Sequence, residues 1–467
     1  MDLRRLAPGL AALALLAIPA AGRAQGFGLN EIGSCAVGRG FAVTGAPCAD
    51  ASFIYWNPAA GTTQQTRWSI LAGLATVAVD GGFIADTTGR VDRADVPMEI
   101  PPHLFVNYGG GRWAAGLGVY VPYGLTSQWK PDFPGRFSAL KARIASVYVQ
   151  PNVSFEVIPG RVSIGGGPVF GHSTVELRQS IDLSTQALPV ALPGITSPTF
   201  ANVGVAAGSE FAQANLEGDA NAWGFNLGVH IRLTPTIQLG VRYLSQLDFE
   251  YEGADADFSP VATGLVVPAA GIFPLVPAGT PYDAVVASAF TTTLVDQQVN
   301  TRIDHPAQAQ VGLSFALRPS TTLEVDAAWI GWSSFKELPI DFSAGSQLDD
   351  TLIEDYEDSW SYRTGIEHRF ASGVAGRLGF SAVQTPVPDE TVTPLLPDAD
   401  RLNFNVGFSL PLGPRTTFDF AYLRVQPQSR RGRIVERTDR TFTAEDLNSG
   451  AYYVDANVFS FSLKASF

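Results

Sequence analysis

Apolar and polar residues alternate one by one in many segments beyond residue 66. Within residues 223–233 every second residue is apolar, and Asn226, His230 and Arg232 lie among the residues between them. Residues 237–243, 402–410 and 459–467 repeat the pattern, and the sequence closes on Phe467. A period of two places one apolar and one polar face on a β-strand. The pattern therefore predicts a β-rich protein.

The segments that connect these strands differ in length in a regular order. Short connections, most with Gly or Pro, lie near residues 109–112, 158–161, 233–236, 317–321, 371–374 and 411–415. Long ones lie near residues 80–100, 122–140, 179–218, 253–296, 334–358, 384–400 and 429–450. An even strand number with short turns on one side and long loops on the other is typical of an outer-membrane barrel. The prediction is an all-β fold, a transmembrane antiparallel β-barrel of about 14 strands over residues 66–467.

The first 24 residues have the pattern of a secretory signal peptide. Arg4 and Arg5 precede an apolar run over residues 6–21, and Gly22-Arg23-Ala24 supplies small residues for a cleavage site. An N-terminal membrane anchor is the alternative. We expect cleavage near Ala24 and export, so that the barrel lies in the outer membrane of a Gram-negative-type cell.

Residues 25–65 differ from the rest because they contain no sustained alternation. The segment is rich in Gly and Ala and carries apolar side chains that include Phe27 and Leu29. About 40 residues are too few to build an independent core, and a fourteen-stranded barrel leaves an internal space. We expect a hatch that plugs the lumen, with a flexible periplasmic tail as the alternative. Cys35 and Cys48 fall in this segment, and in an exported protein they form either a disulfide or two unpaired side chains.

Composition and charge exclude several classes of function. The 467 residues carry a formal charge of −13, with 31 Lys and Arg against 44 Asp and Glu, so a nucleic-acid partner is not expected. Two Cys and five scattered His form no metal spacing, and no His lies in a recognisable nucleophile–His–acid set. These histidines are His103, His172, His230, His305 and His368. We expect no enzyme activity, no metal and no cofactor.

Two of the long loops are unusually apolar. No charged residue occurs between Asp182 and Glu210 or between Asp257 and Asp283. The second stretch is long enough for a transmembrane helix, but its five prolines exclude one. Exposed apolar loops of this kind predict the capture of hydrophobic molecules, and packing against each other as a cap is a compatible alternative. The candidate ligand-binding residues are Leu188, Leu192, Phe200, Leu265, Val266, Phe273 and Leu275.

Basic residues near strand ends are candidates for binding a charged head group. Arg178, Arg302 and Lys336 are in such positions, and we select Arg178, although a solvated or ion-paired charge is the simpler reading of each. Arginines also crowd the last long loop, where they face lipopolysaccharide phosphates or pair with the acidic residues among them. They are Arg430, Arg431, Arg433, Arg437 and Arg440, with Glu436, Asp439, Glu445 and Asp446.

A set of short motifs occurs in a specific order along the chain. The N-terminal segment contains Gly28-Leu29-Asn30-Glu31, Gly38-Arg39-Gly40-Phe41-Ala42, Asp50-Ala51-Ser52 and Asn57-Pro58-Ala59. Later matches are Pro122-Tyr123-Gly124-Leu125, Pro134-Gly135-Arg136-Phe137-Ser138-Ala139-Leu140, Ala328-Trp329-Ile330-Gly331-Trp332-Ser333-Ser334-Phe335, Thr385-Pro386-Val387-Pro388-Asp389 and Leu396-Pro397-Asp398-Ala399-Asp400-Arg401. Each piece is weak alone, whereas the order of the whole set is specific. The set resembles the FadL-type transporters of long-chain fatty acids and aromatic hydrocarbons.

The resemblance implies passive uptake of hydrophobic molecules through a plugged barrel with a lateral opening at a kinked third strand. The residues that correspond to this gate are Asn57, Pro58, Ala59, Gly116 and Gly118. The resemblance leaves the choice between fatty acids and hydrocarbons open. The cysteine pair is outside the family pattern and, if bonded, would limit rearrangement of the hatch. We further expect contact with outer-membrane lipid and lipopolysaccharide and a monomeric state. A general diffusion porin for small polar solutes is the alternative function.

Overall fold

The computed structural model describes residues 26–64, 66–86, 88–188, 191–192, 194–268, 276–342, 348–432 and 449–467. The predicted signal peptide, residues 1–24, lies outside this part of the chain. Within it, no helix is long and apolar enough to cross a membrane. The chain instead forms one antiparallel sheet that closes on itself.

Fourteen main strands form this sheet in the described part of the chain. They are β1 (Trp68–Ala85), β2 (Pro102–Gly110), β3 (Trp113–Tyr120, continued by Gly124–Gln128), β4 (Lys141–Ile158), β5 (Val162–Asp182), β6 (Glu210–Thr234), β7 (Ile237–Leu244, continued by Leu247–Pro260), β8 (Gln297–His305, continued by Gln308–Arg318), β9 (Thr321–Ile330), β10 (Ser359–Arg369), β11 (Ala375–Val383), β12 (Arg401–Pro411), β13 (Thr416–Pro427) and β14 (Gly450–Ser466). Short additional strands lie at Val91–Arg93, Glu337–Phe342, Asp350–Ile353 and Arg430–Arg431.

The barrel closes because the first and last strands pair along their whole length. Ser69 is opposite Ser466 at one end of the ladder, and Ala85 is opposite Gly450 at the other. Closure leaves no free edge along this seam, which is the condition for a sheet to stand in a bilayer. The predicted fourteen-stranded barrel is therefore confirmed, and all six short turns lie where the sequence placed them.

The alternating pattern sets which side chains face lipid. On β12, Phe404, Val406 and Phe408 are exposed on the outer face, whereas Asn403 and Asn405 are buried on the inner face. The apolar face thus points outward and the polar face inward, opposite to a soluble sandwich.

Helical turns occur between the strands and before β1. The segment before β1 contains α1 (Ser34–Gly38), α2 (Phe53–Trp56) and a 3-10 helix (Pro58–Thr63). The long loops contain α3 (Tyr282–Val286), α4 (Ala289–Thr292) and the 3-10 helices Pro134–Phe137, Leu183–Thr185, Phe200–Val203, Trp332–Ser334 and Asp389–Thr391. Residues 26–64 are nearly all buried and contact strands on opposite sides of the barrel, so this segment lies in the lumen.

Candidate functional site

The barrel wall is interrupted on β3. Its first part pairs with β2 on one side and with β4 on the other. Residues 121–123 then leave the ladder, and in the described sheet the continuation Gly124–Gln128 pairs with β4 alone. Pro122 contributes to this break because proline has no backbone N–H for a ladder hydrogen bond. Beyond it, no strand in the described part of the chain pairs with the side of β3 that faces β2.

The N-terminal segment bonds to the backbone at this break. The amide of Leu29 donates to the carbonyl of Pro122 at 2.8 Å, and the amide of Gly124 donates to the carbonyl of Phe27 at 2.9 Å. These two bonds form an antiparallel bridge centred on Gly28 and Tyr123. The segment therefore satisfies backbone groups that the interrupted ladder leaves open.

Phe27 fixes this bridge from the inside of the barrel. Its ring is buried and packs edge-on against Trp332, with ring centroids 4.6 Å apart. Tyr123 and His305 complete the aromatic surroundings at 6.0 and 5.7 Å. Because aromatic contacts of this geometry are favourable beyond their buried area, the position of the bridge is well defined.

A cavity of about 410 Å³ lies directly beside the break. Its lining comes from both edges of the break, from the N-terminal segment, and from the inner faces of β1, β13 and β14. Most of these side chains are apolar. They include Leu29, Val77, Val79, Ile100, Pro101, Val121, Leu125, Leu396, Leu423, Val425, Ala456 and Val458. The volume falls in the range of small-molecule sites.

One region of the cavity wall is charged. Asp398 accepts hydrogen bonds from the Gly26 amide and the Thr385 hydroxyl, both at 2.9 Å. Burial raises the pKa of the Asp398 carboxyl, and the nearby Arg401 partly opposes the rise. Burial likewise raises the pKa of Glu31, again against Arg401. Arg401 forms no ion pair within 4 Å among the described residues, and its buried Nε has no hydrogen-bond partner. The cavity thus joins a long apolar wall to a small polar region.

The centre of the lumenal segment is held by two acidic residues on β9. The Arg39 guanidinium lies 2.6 Å from the Glu324 carboxylate, which also accepts the amides of Gly45 at 2.6 Å and Ala46 at 3.1 Å. Asp326 accepts the amides of residues 43 and 44 at 3.0 and 2.9 Å. These charge-assisted bonds hold the centre of the segment against β9.

Asn57 organises the end of the segment. Its side-chain amide donates to the carbonyls of Thr44 at 2.9 Å and Val229 at 3.1 Å, and its oxygen accepts the amide of Ala59 at 3.2 Å. Pro58 starts the 3-10 helix, where its missing N–H costs nothing. Ala59 is fully buried. The three residues therefore form a fixed turn against β6.

Glycines on the inner face allow the lumenal segment to approach the wall. A Cβ at Gly116 would lie 2.7 Å from Ile54 Cδ1, and one at Gly118 would lie 3.2 Å from Ile54 Cγ2. Other inward glycines, which the sequence analysis did not select, face the segment backbone in the same way. They include Gly165, Gly228, Gly240 and Gly379.

Cys35 and Cys48 form a disulfide in this structure. Both residues are buried, and the bond closes a loop of the lumenal segment that contains Arg39 and the residues bound by Glu324 and Asp326. The part of the segment with the most polar contacts to the barrel is therefore also cross-linked.

The family of the chain follows from comparison with known proteins. A family model described as outer membrane protein transport protein (OMPP1/FadL/TodX) matches residues 15–467. The chain belongs to this family. The resemblance inferred from the motifs is confirmed, as is the outer-membrane location. Members of the OMPP1/FadL/TodX family are transporters, and the porin alternative is not favoured.

Relatives and solved structures cover almost the whole chain. The long-chain fatty acid transport protein of Escherichia coli is 22% identical over 423 residues, which are 87% of this chain and 88% of the relative. The 47 kDa outer membrane protein of Pasteurella multocida is 22% identical over 89% of this chain and 91% of its own length. The crystal structure of a Pseudomonas aeruginosa FadL homologue has a TM-score of 0.77 at 20% identity and covers 95% of this chain and 100% of its own. The crystal structure of the Pseudomonas putida toluene transporter TodX has a TM-score of 0.67 at 16% identity and covers 95% of this chain and 100% of its own.

Of the residues selected from the two apolar loops, those that the structure describes lie outside the cavity. Leu188 and Phe200 are buried in a separate cluster with Tyr282 and Val286, and Leu192 packs against it. The two loops thus pack on each other as a cap. Leu265 and Val266 are 37% and 56% exposed. Phe273 and Leu275 lie outside the described residues.

The selected basic residues also lie away from the cavity. Arg178 donates to Asn215 at 3.3 Å, lies 3.5 Å from Glu176, and is 42% exposed. Arg302 pairs with Asp304 at 2.7 Å. Lys336 pairs with an exposed aspartate. In the last long loop, Arg430 pairs with Asp389 and Arg431 with Asp86, and residues 433–440 and 445–446 lie outside the described part of the chain.

The sequence analysis missed the cavity residues on β13 and β14. A signal was present on their inward faces, where polar residues change to apolar ones along the strand. On β14, Ser462 and Ser460 are followed, towards the long loops, by Val458 and Ala456. On β13, Asp419 is followed by Leu423 and Val425. An inward face that becomes apolar marks an apolar chamber within a polar lumen.

Proposed function

We propose that this outer-membrane transport protein takes up hydrophobic molecules, either long-chain fatty acids or related hydrocarbons, by passive diffusion through the cavity beside β3. The observation that carries the proposal is the position of an apolar cavity at an interruption of the wall. Its relatives include a protein named for long-chain fatty acid transport and a toluene transporter. Both substrate classes are predominantly apolar, as is the cavity.

The proposed route runs from the long-loop side into the cavity and leaves sideways through the wall. Ile100 and Pro101 line one edge of the break and Leu125 lines the other. A hydrocarbon chain that left between these edges would enter the bilayer without crossing the polar part of the lumen. Residues 25–65 act as the hatch in this scheme, since a lumen filled by residues 26–64 is closed to direct passage towards the short turns.

Affinity in this scheme comes from the chain of the ligand. Each buried methylene contributes about 0.8 kcal/mol, so eight of them supply about 6 kcal/mol as an upper value. A single charge-assisted hydrogen bond to a carboxylate adds about 1.5–3 kcal/mol. The head group therefore selects between acids and hydrocarbons, and the apolar wall retains both.

The test uses a tryptophan that fills the cavity. Ala456 is buried on the inner face of β14 and lines the cavity, whereas Ala72 is exposed on the outer face of β1. We expect Ala456→Trp to weaken ligand binding by about tenfold or more, because even two lost methylene contacts amount to this factor. Ala72→Trp, which adds the same side chain to the lipid side, should bind like the wild type.

Binding is measured on delipidated protein in detergent, with palmitate and toluene competing against one fluorescent fatty acid. Competition by palmitate alone assigns the cavity to fatty acids, and competition by toluene assigns it to hydrocarbons. Equal binding by the Ala456→Trp variant and the wild type would place the site elsewhere. Failure of both competitors would contradict the proposed function.

A further inference from the structure

The end of the barrel that carries the short turns is positively charged, although the chain as a whole is negative. In or within two residues of every short turn there is one exposed arginine. These are Arg112, Arg161, Arg232, Arg318, Arg369 and Arg415. Arg67, just before β1, is exposed beside them. In the described residues of these turns no Asp or Glu is exposed, and Glu156 and Glu367 are half-buried. A net charge of −13 therefore coexists with a basic ring, which we call the short-turn rim.

Two guanidinium groups of the rim, those of Arg112 and Arg415, lie on its outer, lipid-facing side. Arg112 stacks over the ring of Phe155 at 5.1 Å, and Arg415 stacks over Phe467 at 5.6 Å. These two rings are 44% and 52% exposed, one on the outward face of β4 and the other directly after the end of β14. Rings of this kind stand at the level where the hydrocarbon core meets the head groups. The cations placed on them are consequently at the level of lipid phosphates.

The rim is distinct from the arginines of the lumen. Arg242, Arg363 and Arg377 are buried on inward faces, and each bonds to other side chains of the lumen. By contrast, Arg161, Arg318 and Arg415 donate no side-chain hydrogen bond to another described residue. Their donors are open to the surroundings of the barrel.

We propose that the short-turn rim binds the phosphates of anionic phospholipids in the inner leaflet of the outer membrane. Arginine presents a planar set of donors that matches phosphate oxygens, and basic residues next to an anionic leaflet are attracted to it. A soluble acidic protein is less well matched, because the stacked rings direct Arg112 and Arg415 towards lipid instead of towards the periplasm. The site is independent of the cavity and of the transported molecule.

The experiment measures lipid selectivity in phosphatidylcholine bilayers with trace spin-labelled lipids. The fraction of labelled phosphatidylglycerol that is immobilised by the protein is compared with the fraction of labelled phosphatidylcholine. The rim variant replaces four arginines by glutamine, Arg112, Arg161, Arg318 and Arg415. The matched control replaces four exposed arginines at the long-loop end, Arg90, Arg93, Arg302 and Arg431.

We expect a several-fold preference of the wild type for phosphatidylglycerol, since one basic residue near an anionic surface changes association by about fivefold at low salt. The ratio of immobilised phosphatidylglycerol to immobilised phosphatidylcholine should approach one in the rim variant and should persist in the control variant. For the wild type this ratio should fall in 0.5 M NaCl, because the Debye screening length there is only a few ångströms. Ligand binding in detergent should be unchanged in the rim variant, which checks its fold. An equal loss of the phosphatidylglycerol preference in the rim variant and in the control would show that only the net charge of the protein matters, and would overturn the proposal. An undiminished preference in the rim variant would also overturn it and leave a soluble acidic partner as the candidate.

Discussion

The ion pair between Arg39 and Glu324 gives the sharpest test of how the proposed hatch is held in the lumen. Both side chains are buried, at 5% and 0% exposure, and lie 2.6 Å apart. The same carboxylate accepts the amides of Gly45 and Ala46. Glu324→Gln keeps the shape of the side chain but removes the negative charge. The buried guanidinium of Arg39 then loses its ion-pair partner in the lumen.

The magnitude follows from the burial of the pair. Removing one partner of a buried ion pair costs about 3–5 kcal/mol. If this cost falls on the docked state of the hatch, its opening equilibrium shifts by about 100-fold to 4,000-fold. The assay is ion conductance of single barrels in planar bilayers. We expect the Glu324→Gln barrel to open in frequent steps, while the wild type stays closed for long periods.

Two further variants separate this cause from a general weakening. Asp355→Asn breaks an exposed pair with Lys336 at 2.9 Å, which is worth about 1 kcal/mol at most, so its conductance should equal that of the wild type. Combining Arg39→Met with Glu324→Gln removes both charges and should close the barrel more often than Glu324→Gln alone. If the Glu324→Gln barrel opens as rarely as the wild type, the claim that this ion pair holds the hatch is refuted.

Three other outcomes are expected. Gly379→Ala should raise ion conductance because the added Cβ would overlap the hatch backbone. Gly376→Ala on the same strand should leave conductance unchanged, because the added Cβ would lie 3.4 Å from the nearest atom. Equal conductance of the two variants would contradict this packing. Replacing Cys35 and Cys48 by Ala should lower hatch stability by about 2–4 kcal/mol, read as faster proteolysis of the hatch under conditions where the barrel resists. Burial raises the pKa of the Asp398 carboxyl. The contribution of this carboxyl to stability is therefore complete below about pH 4 and is lost as pH rises through the raised pKa. Asp398→Asn should flatten the pH dependence of ligand binding, and an unchanged profile would exclude this carboxyl as the cause of that dependence.

The barrel could be predicted from the sequence because its signal repeats. Each strand gives only a weak alternation, but six short turns and seven long loops had to fit one closed sheet, and they did. The polarity of a residue such as Phe404 or Asn405 predicts whether its side chain faces the lipid or the lumen. The same local logic placed Phe27 and Leu29 in the segment before β1.

The cavity could not be predicted in the same way because its residues come from distant parts of the chain. Leu29, Ile100, Leu396 and Ala456 become neighbours only after the barrel closes. The apolar loop residues were selected because of the composition of their loops, but Leu188 and Phe200 are buried together in the apolar cluster of the cap. An inward glycine such as Gly240 likewise gains its meaning only from the hatch backbone opposite it.

The pairing of the hatch with the last strand has a consequence for assembly of the protein. Ser34 at the start of α1 shares hydrogen bonds with Ser460 and Ser462 on β14, at 2.9 and 2.8 Å. These partners are more than 420 residues apart in the chain, and β14 also closes the barrel against β1. The hatch therefore cannot reach its final contacts until the last residues have been synthesised and inserted. Seating of the hatch and sealing of the barrel seam belong to one late step, so a chain truncated within β14 loses both together.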